Sequence, residues 1–189
     1  MRRLDLIVGP NGSGKSTFVE LSLAPLLPRS VFVNADVIAR QRWPDRAEEM
    51  SYEAAQLAAS ARDRLLRQGR SFIAETVFSH PSKLELIDRA HEAGFTVVLH
   101  VMLVPETMSV LRVQHRVAAG GHAVPEDKIR ARYRRLWPLV AEAIGRADQA
   151  SVYDTASGTP VVVARFAGGV PVGAVRWPGW APAALTGLG

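Results

Sequence analysis

The stretch LDLIVGPNGSGKSTFVE, residues 4–20, changes character twice. A mainly apolar run at 4–8 reads as a buried strand, glycines then crowd positions 9, 12 and 14, and a helix-forming run starts at Lys15. Residues 9–16 satisfy the pattern G-x-x-x-x-G-K-[ST] in the strand–loop–helix setting that the pattern requires. Gly9, Gly12 and Gly14 let the backbone turn tightly, so that successive N–H groups face inward as an anion nest. The helix start adds the positive end of its dipole. Lys15 is placed to contact the β and γ phosphates of ATP, and the Ser16 hydroxyl to ligate the accompanying Mg²⁺. Asn11, Ser13 and Thr17 complete the expected nucleotide pocket. Whether the phosphate is hydrolysed or handed on has to be read from the rest of the chain.

Beyond the loop, apolar β-branched runs alternate with longer amphipathic ones, the pattern of βα units around a mostly parallel sheet. Strands are expected at 4–8, 31–33, 71–74, 96–103, 151–153 and 160–165, and helices at 15–24, 46–68, 82–93, 105–118 and 126–147. Gly69 and Gly94 stop two helices as C-terminal caps do, and Ser82 with Glu85 makes a capping-box pattern. YDTASGTPVVVARF, residues 153–166, reads as a hairpin turning at ASG. WPGWAPAALTGLG, residues 177–189, reads as an arm, packed or frayed, whose two tryptophans favour docking. The expected fold is an α/β P-loop NTPase: three layers, α/β/α, with a five-stranded, mostly parallel kinase-type sheet and a C-terminal β-hairpin. It occupies residues 1–189 as one domain, with the hairpin and arm at about 151–189.

A chain of 189 residues is most economically one domain with room for a real core. Cysteine is absent, which excludes disulfides and thiolate metal sites and fits a reducing cytoplasm. The longest apolar run, FTVVLHVMLVP at 95–105, is too short for a bilayer and is broken by His100. MRRLDLIVG leads directly into a strand and lacks the apolar core of a signal peptide, so a soluble, cytoplasmic protein without a membrane partner is expected. The net charge of +5 is carried almost wholly by arginine, with lysine only at 15, 83 and 128. Arginine's bidentate geometry suits phosphate, although a base composition favouring arginine is the preferred account of the surface arginines as a group. Nucleic acid is thus an allowed partner but not a demanded one.

Three stretches supply candidate chemistry. In VFVNADVIA (31–39), Asp36 falls just past a strand, on the rim where α/β sheets bind ligands. Two roles are open to it: a general base, worth roughly 10²–10⁴-fold, or the cap of a helix starting at Val37. In SFIAETVFS (71–79), Glu75 either holds Mg²⁺ or orients an acceptor, or else pairs with an arginine at the sheet edge; Thr76 is placed to bond a substrate. In LRVQHRVAAGGHAVPEDKIRARYRRL (111–136), Arg112 and Arg116 share a helix face ahead of a glycine-hinged break. Arginines on such a lid, about 112–135, stabilise a transferring phosphoryl group by roughly 10³–10⁵-fold and help to exclude water. Arg132 and Arg135 read instead as a solvated face. His122 in the hinge is a further candidate contact for nucleotide or substrate, and His91 and His100 read as surface or packing residues.

Taken in order, GPNGSGKST, FVNADVIA, FIAETVFS, VVLHVMLVP and RVQHRVAAGGHAVPEDKIRARY resemble the zeta toxin family of P-loop kinases, over roughly residues 4–153. The resemblance is to its shorter bacterial members. It implies the strand order of nucleotide and shikimate kinases, and transfer of the ATP γ-phosphate to a UDP-activated amino sugar, notably UDP-N-acetylglucosamine. It also implies a small antitoxin protein covering the ATP site. Carried onto this chain, Lys15 and Ser16 are the loop pair, Asp36 the base, and Glu75 and Thr76 the acidic substrate or metal position. Arg116 aligns with a catalytic arginine. Where longer members carry a second arginine this chain has His122, with Arg112 or Arg130 as compensating candidates. Two other readings stay open: a kinase acting on a nucleoside or nucleic-acid end, and a non-catalytic, nucleotide-gated binding module.

Overall fold

Strand β1 (Arg3–Val8) lies inside a seven-stranded sheet in the computed structural model, which describes residues 2–118 and 124–189. It pairs with β3 (Phe72–Thr76) on one side and β4 (Thr96–Leu103) on the other. With β2 (Val31–Val33), β5 (Gln149–Asp154), β6 (Val161–Ala167) and β7 (Val170–Pro171) added, the order is β2-β3-β1-β4-β5-β6-β7. The first five of these run parallel, β6 returns antiparallel to β5, and β7 runs antiparallel to β6. β5 is therefore both the fifth parallel strand and the first arm of the expected hairpin.

Side chains alternate along a strand, so β1 divides the core. Leu4, Leu6 and Val8 join the larger cluster, with Phe72, Leu99 and Val101, against α3 (Ser51–Arg67), α4 (Leu84–Glu92) and α6 (Glu126–Arg146). Ile7 joins a smaller one on the other face, with Ile73 and Met102 under Phe18, Val19 and Leu23. Helices thus flank the sheet in the three layers expected, and α5 (Glu106–Ala118) packs against α6 through Val110, Val113 and Ile129. The arm at 177–189 is docked: Leu185 in α7 (Ala183–Thr186) is fully buried, and Trp177 and Trp180 pack on the larger core. Among the described residues no helix is long and apolar enough to cross a membrane.

Boundaries depart from expectation where a proline or a capping side chain intervenes. The helix expected at 15–24 is α1 (Lys15–Phe18), followed by a π turn (Val19–Leu23) and a 3₁₀ turn (Ala24–Leu26). Pro25 lacks the N–H that a regular helix would offer to the Leu21 carbonyl. The helix expected at 46–68 starts only at Ser51, and α2 (Ala35–Arg42) precedes it. Ser82 is not a cap: the His80 ring accepts from the Ser82 N–H and caps the turn Pro81–Lys83. Gly69 and Gly94, at φ +61° and +72°, end their helices in the left-handed conformation expected of them. His122 lies outside the described residues.

Candidate active site

Two glycines fix the path of the loop. A Cβ at Gly9 would meet the Met102 carbonyl at 2.5 Å, and one at Gly12 the Ser109 carbonyl at 2.9 Å. Their φ angles, +152° and +72°, are also unfavourable to other residues. The loop's carbonyls are held in turn. Lys15 Nζ donates to Pro10 O at 2.8 Å, Ser109 Oγ to Asn11 O at 2.6 Å, and Arg112 Nη1 to Gly12 O at 3.3 Å. Arg112 Nη2 also donates to the carbonyls of Thr155 (2.8 Å) and Ala156 (3.0 Å), tying loop, α5 and the β5–β6 turn together. Asn11 Oδ1 and Ser13 Oγ are buried without partners among the described residues, and the Ser13 hydroxyl is a donor suited to a phosphate oxygen. The residues present therefore fit a nucleotide's phosphates. The helical run that starts at Lys15, α1 continued by the π turn, turns the positive end of its dipole toward that cradle.

Lys15 is buried, and burial pushes its pKa down. The Glu75 and Asp36 carboxylates oppose that shift, while Arg116 reinforces it, so these four side chains share one field. Ser16 Oγ lies 2.9 and 3.1 Å from the two Glu75 oxygens, and Asn34 Nδ2 donates to Glu75 Oε2 at 2.6 Å. Asn34 Oδ1 accepts from the N–H groups of Asp36 (2.7 Å) and Val37 (3.1 Å), which makes Asn34 the cap of α2. Asp36 is thereby relieved of the capping role, and its side chain is exposed to the cleft. Glu75 likewise pairs with Ser16 and Asn34 instead of an arginine. Ser16 and Glu75 suit a hard cation. Among the described residues no three His, Cys, Asp or Glu side chains gather, so phosphate oxygens and water would complete its shell.

These groups border a cleft of about 1080 Å³, large enough for a nucleotide and a second small molecule. Asn11, Gly12, Gly14, Lys15, Ser16 and Thr17 line it on one side, and Asp36, Glu75, Thr76, Arg112 and Arg116 also face it. Thr76 Oγ1 accepts from the Phe78 N–H at 3.3 Å, bracing a turn in which buried Phe78 takes φ +63°, a strained value for a bulky residue. Neither arginine offered as a stand-in for the missing one is poised for that part. Arg112 is committed to three carbonyls, and Arg130 pairs with Glu126 (2.8 Å) and Glu106 (3.4 Å). Arg132, expected to be solvated, lines the cleft half-buried, whereas Arg135 is exposed as expected. Sequence reasoning also missed Asn34, Ser109, Lys83 and Lys128. An asparagine at a strand–helix junction is a capping signal that was there to be read; Ser109 carries no such signal.

The 2-3-1-4-5 order of the parallel strands, with this loop at the end of β1, defines a P-loop kinase-like α/β domain. Residues 4–139 match the model of an AAA domain family, and the chain belongs to that family. An uncharacterized protein of Haemophilus influenzae is 29% identical over 126 residues, 66% of this chain and 88% of that protein. Three solved structures share the fold. The AvrRxo1-ORF1:-ORF2 complex with ATP matches at TM-score 0.71 and 20% identity, over 91% of this chain and 60% of that one. This chain thus spans about three fifths of that protein's length. The PezAT chromosomal toxin–antitoxin system of Streptococcus pneumoniae matches at 0.64 and 13%, covering 85% and 71%. A kinase candidate from Chloroflexus aurantiacus matches at 0.62 and 21%, covering 82% and 90%.

Proposed function

We propose that this protein is an ATP-dependent phosphotransferase that moves the γ-phosphate to a hydroxyl of a small molecule. The observation that carries the reading is Asp36, released from helix capping by Asn34, in one cleft with Lys15, Glu75 and Arg116. A carboxylate there serves an alcohol acceptor, which has a proton to lose; a switch or motor has no use for it in that place.

In this mechanism the acceptor oxygen bonds to the γ-phosphorus while the bond from that phosphorus to the bridging oxygen of ADP breaks. Asp36 takes the hydroxyl proton. Lys15 and Arg116 offset charge on the transferring group, and Arg112 holds the loop in register through the Gly12 carbonyl. Ser16 and Glu75 would hold Mg²⁺, which neutralises phosphate charge when bound. Thr76 orients the acceptor. The zeta toxin resemblance supports UDP-N-acetylglucosamine or a related UDP-sugar as that acceptor. The likeness to PezAT supports a small antitoxin partner. The chain works as one domain with its lid at about 112–135, and its lack of cysteine supports a cytoplasmic setting.

Incubation with ATP, Mg²⁺ and UDP-N-acetylglucosamine should yield a sugar nucleotide heavier by one phosphoryl group in the mass spectrum. Asp36→Asn should lose that product and keep ATP binding. ATP consumption without product across a panel of UDP-sugars removes the acceptor assignment. Consumption that is indifferent to Asp36→Asn removes the transferase itself and leaves a nucleotide-gated module.

A further inference from the structure

Residues 76–82, TVFSHPS, use one device twice at the cleft. Thr76 Oγ1 accepts from the Phe78 N–H at 3.3 Å, and His80 Nδ1 accepts from the Ser82 N–H at 3.2 Å. Each side chain answers the backbone two residues on, and both residues border the cleft. Between them Phe78 is fully buried in the larger core at φ +63°. Burial of that ring holds the strained turn and so fixes where the two side chains emerge. Pro81 restricts the residue before it to extended backbone, and His80 takes φ −138° and ψ +138°, the conformation of a helix cap.

The cap decides the chemistry of the ring. A backbone N–H only donates, so Nδ1 of His80 is the unprotonated nitrogen and the ring proton sits on Nε2. Ser82 Oγ, 2.9 Å from Nδ1, shares the same lone pair as a second donor. Nε2 has no hydrogen bond or ion pair among the described residues, although the ring is exposed and borders the cleft. A residue needed only as a cap has no use for that nitrogen, because asparagine, serine and aspartate cap as well with fewer atoms. Thr76 is left in the same state: its oxygen is engaged, and its hydroxyl hydrogen has no acceptor among the described residues.

We infer that His80 is a specificity-determining residue for the acceptor: its Nε2–H, with the Thr76 hydroxyl, donates to uncharged oxygens of the molecule whose hydroxyl meets Asp36. This rests on the phosphotransferase reading and deepens it. Both donors are neutral, so they select hydroxyl, ether or amide oxygens by position instead of by charge. An acceptor without an oxygen at that place leaves a donor unanswered in the closed cleft.

The test separates the two nitrogens. Asparagine offers an oxygen where Nδ1 stands and nothing at Nε2, whereas glutamine offers an N–H at Nε2 and no cap. Initial rates are taken with ATP, Mg²⁺ and UDP-N-acetylglucosamine, then with a panel of UDP-sugars, nucleosides and polyols, and whichever compound gains a phosphoryl group serves as the acceptor. His80→Asn should keep the urea midpoint of wild type and raise KM for the acceptor about tenfold, the scale of one neutral hydrogen bond, with KM for ATP within about twofold. His80→Gln should do the reverse, lowering the midpoint while holding the acceptor KM within about threefold of wild type. In a long-range ¹H–¹⁵N spectrum, the ring signals that His80→Asn removes should be those of the Nε2–H tautomer. An Nδ1–H tautomer, an asparagine variant whose acceptor KM matches wild type, or acceptor losses that follow the midpoint through both variants would overturn the inference and leave His80 a cap. Absence of phosphorylated product from wild type with every compound would instead remove the phosphotransferase reading, and this inference with it.

Discussion

Two sets of residues along the cleft are built on opposite plans. At the nucleotide end the protein supplies its own partners: Lys15, Ser109 and Arg112 hold three successive loop carbonyls, and Ser16, Glu75 and Asn34 form one hydrogen-bonded chain. Elsewhere along the lining, Arg40, Lys83, Lys128 and Arg132 stand without such partners among the described residues. The first end is organised before a ligand arrives, so little reorganisation is needed when phosphates bind. The nucleotide end is written largely in one contiguous loop, whereas the four cations come from segments far apart in the chain.

The sharpest way to break the comparison is at the shared centre. Lys15→Ala should lower phosphoryl transfer by roughly 10³-fold or more, the scale of losing a charge clamp on the transferring group, in initial rates of ATP turnover. Circular dichroism would confirm that the fold survives. A variant with more than a tenth of wild-type activity would mean that the loop does not hold the reacting phosphates. Next in size, Asp36→Asn should cost about 10²–10⁴-fold in transfer and leave nucleotide affinity within twofold, since Asn34 already caps α2. Equal losses in both measurements would assign Asp36 to the nucleotide end.

The same contrast sets what could be read from sequence. The loop was legible because glycine spacing, lysine and hydroxyl are adjacent in the chain, and β1, β2 and β4 were legible from runs of apolar residues. Asp36, Glu75 and Arg116, which line the cleft, were singled out by their places after strands and ahead of the paired glycines in the sequence. Ser109 was invisible, because its contact with Asn11 spans 98 residues and has no periodic signature. Arg132 was read as solvated, since helical spacing gives a face but not what the face looks at. The change from α to π and 3₁₀ turns after Phe18 follows from Pro25, a local rule passed over in favour of an apparently regular run.

A smaller effect separates the loop's shape from its chemistry. Gly12→Ala adds a methyl group 2.9 Å from the Ser109 carbonyl and 3.1 Å from Arg112 Cβ, at φ +72°. Either α5 or the loop has to move. The expected cost is about 2 kcal/mol in urea denaturation, with a parallel loss of nucleotide affinity. Gly14→Ala is the control: its Cβ meets nothing within 4 Å, although φ +81° still strains it. It should therefore cost less than Gly12→Ala. The reverse order would mean that conformation, not contact with α5, dictates glycine at position 12.

The smallest expected effect lies under the nucleotide end, in the thin layer between β1 and α1. Asp5 is fully buried there, 2.9 Å from His100 Nε2 and bonded by Arg3 Nε (2.7 Å) and Nη2 (2.6 Å). Phe18 of α1 packs on His100 and Tyr153, so this network supports the floor of the loop helix. Burial alone would raise the Asp5 pKa, but hydrogen bonds and charge from His100 and Arg3 outweigh it and hold the carboxyl below its ordinary value. A carboxylate with a depressed folded pKa stabilises the fold above its unfolded value, about 3.9, and loses that contribution as pH falls through the folded value. Asp5→Asn keeps an acceptor for His100 but removes the charge, so it should cost roughly 1–2 kcal/mol at pH 7 in urea denaturation. The gap between wild type and variant should close as the pH is taken below about 4. A gap that stays constant down to the acid limit would show that the Asp5 charge adds nothing to stability, and that the nucleotide end stands on its hydrogen bonds alone.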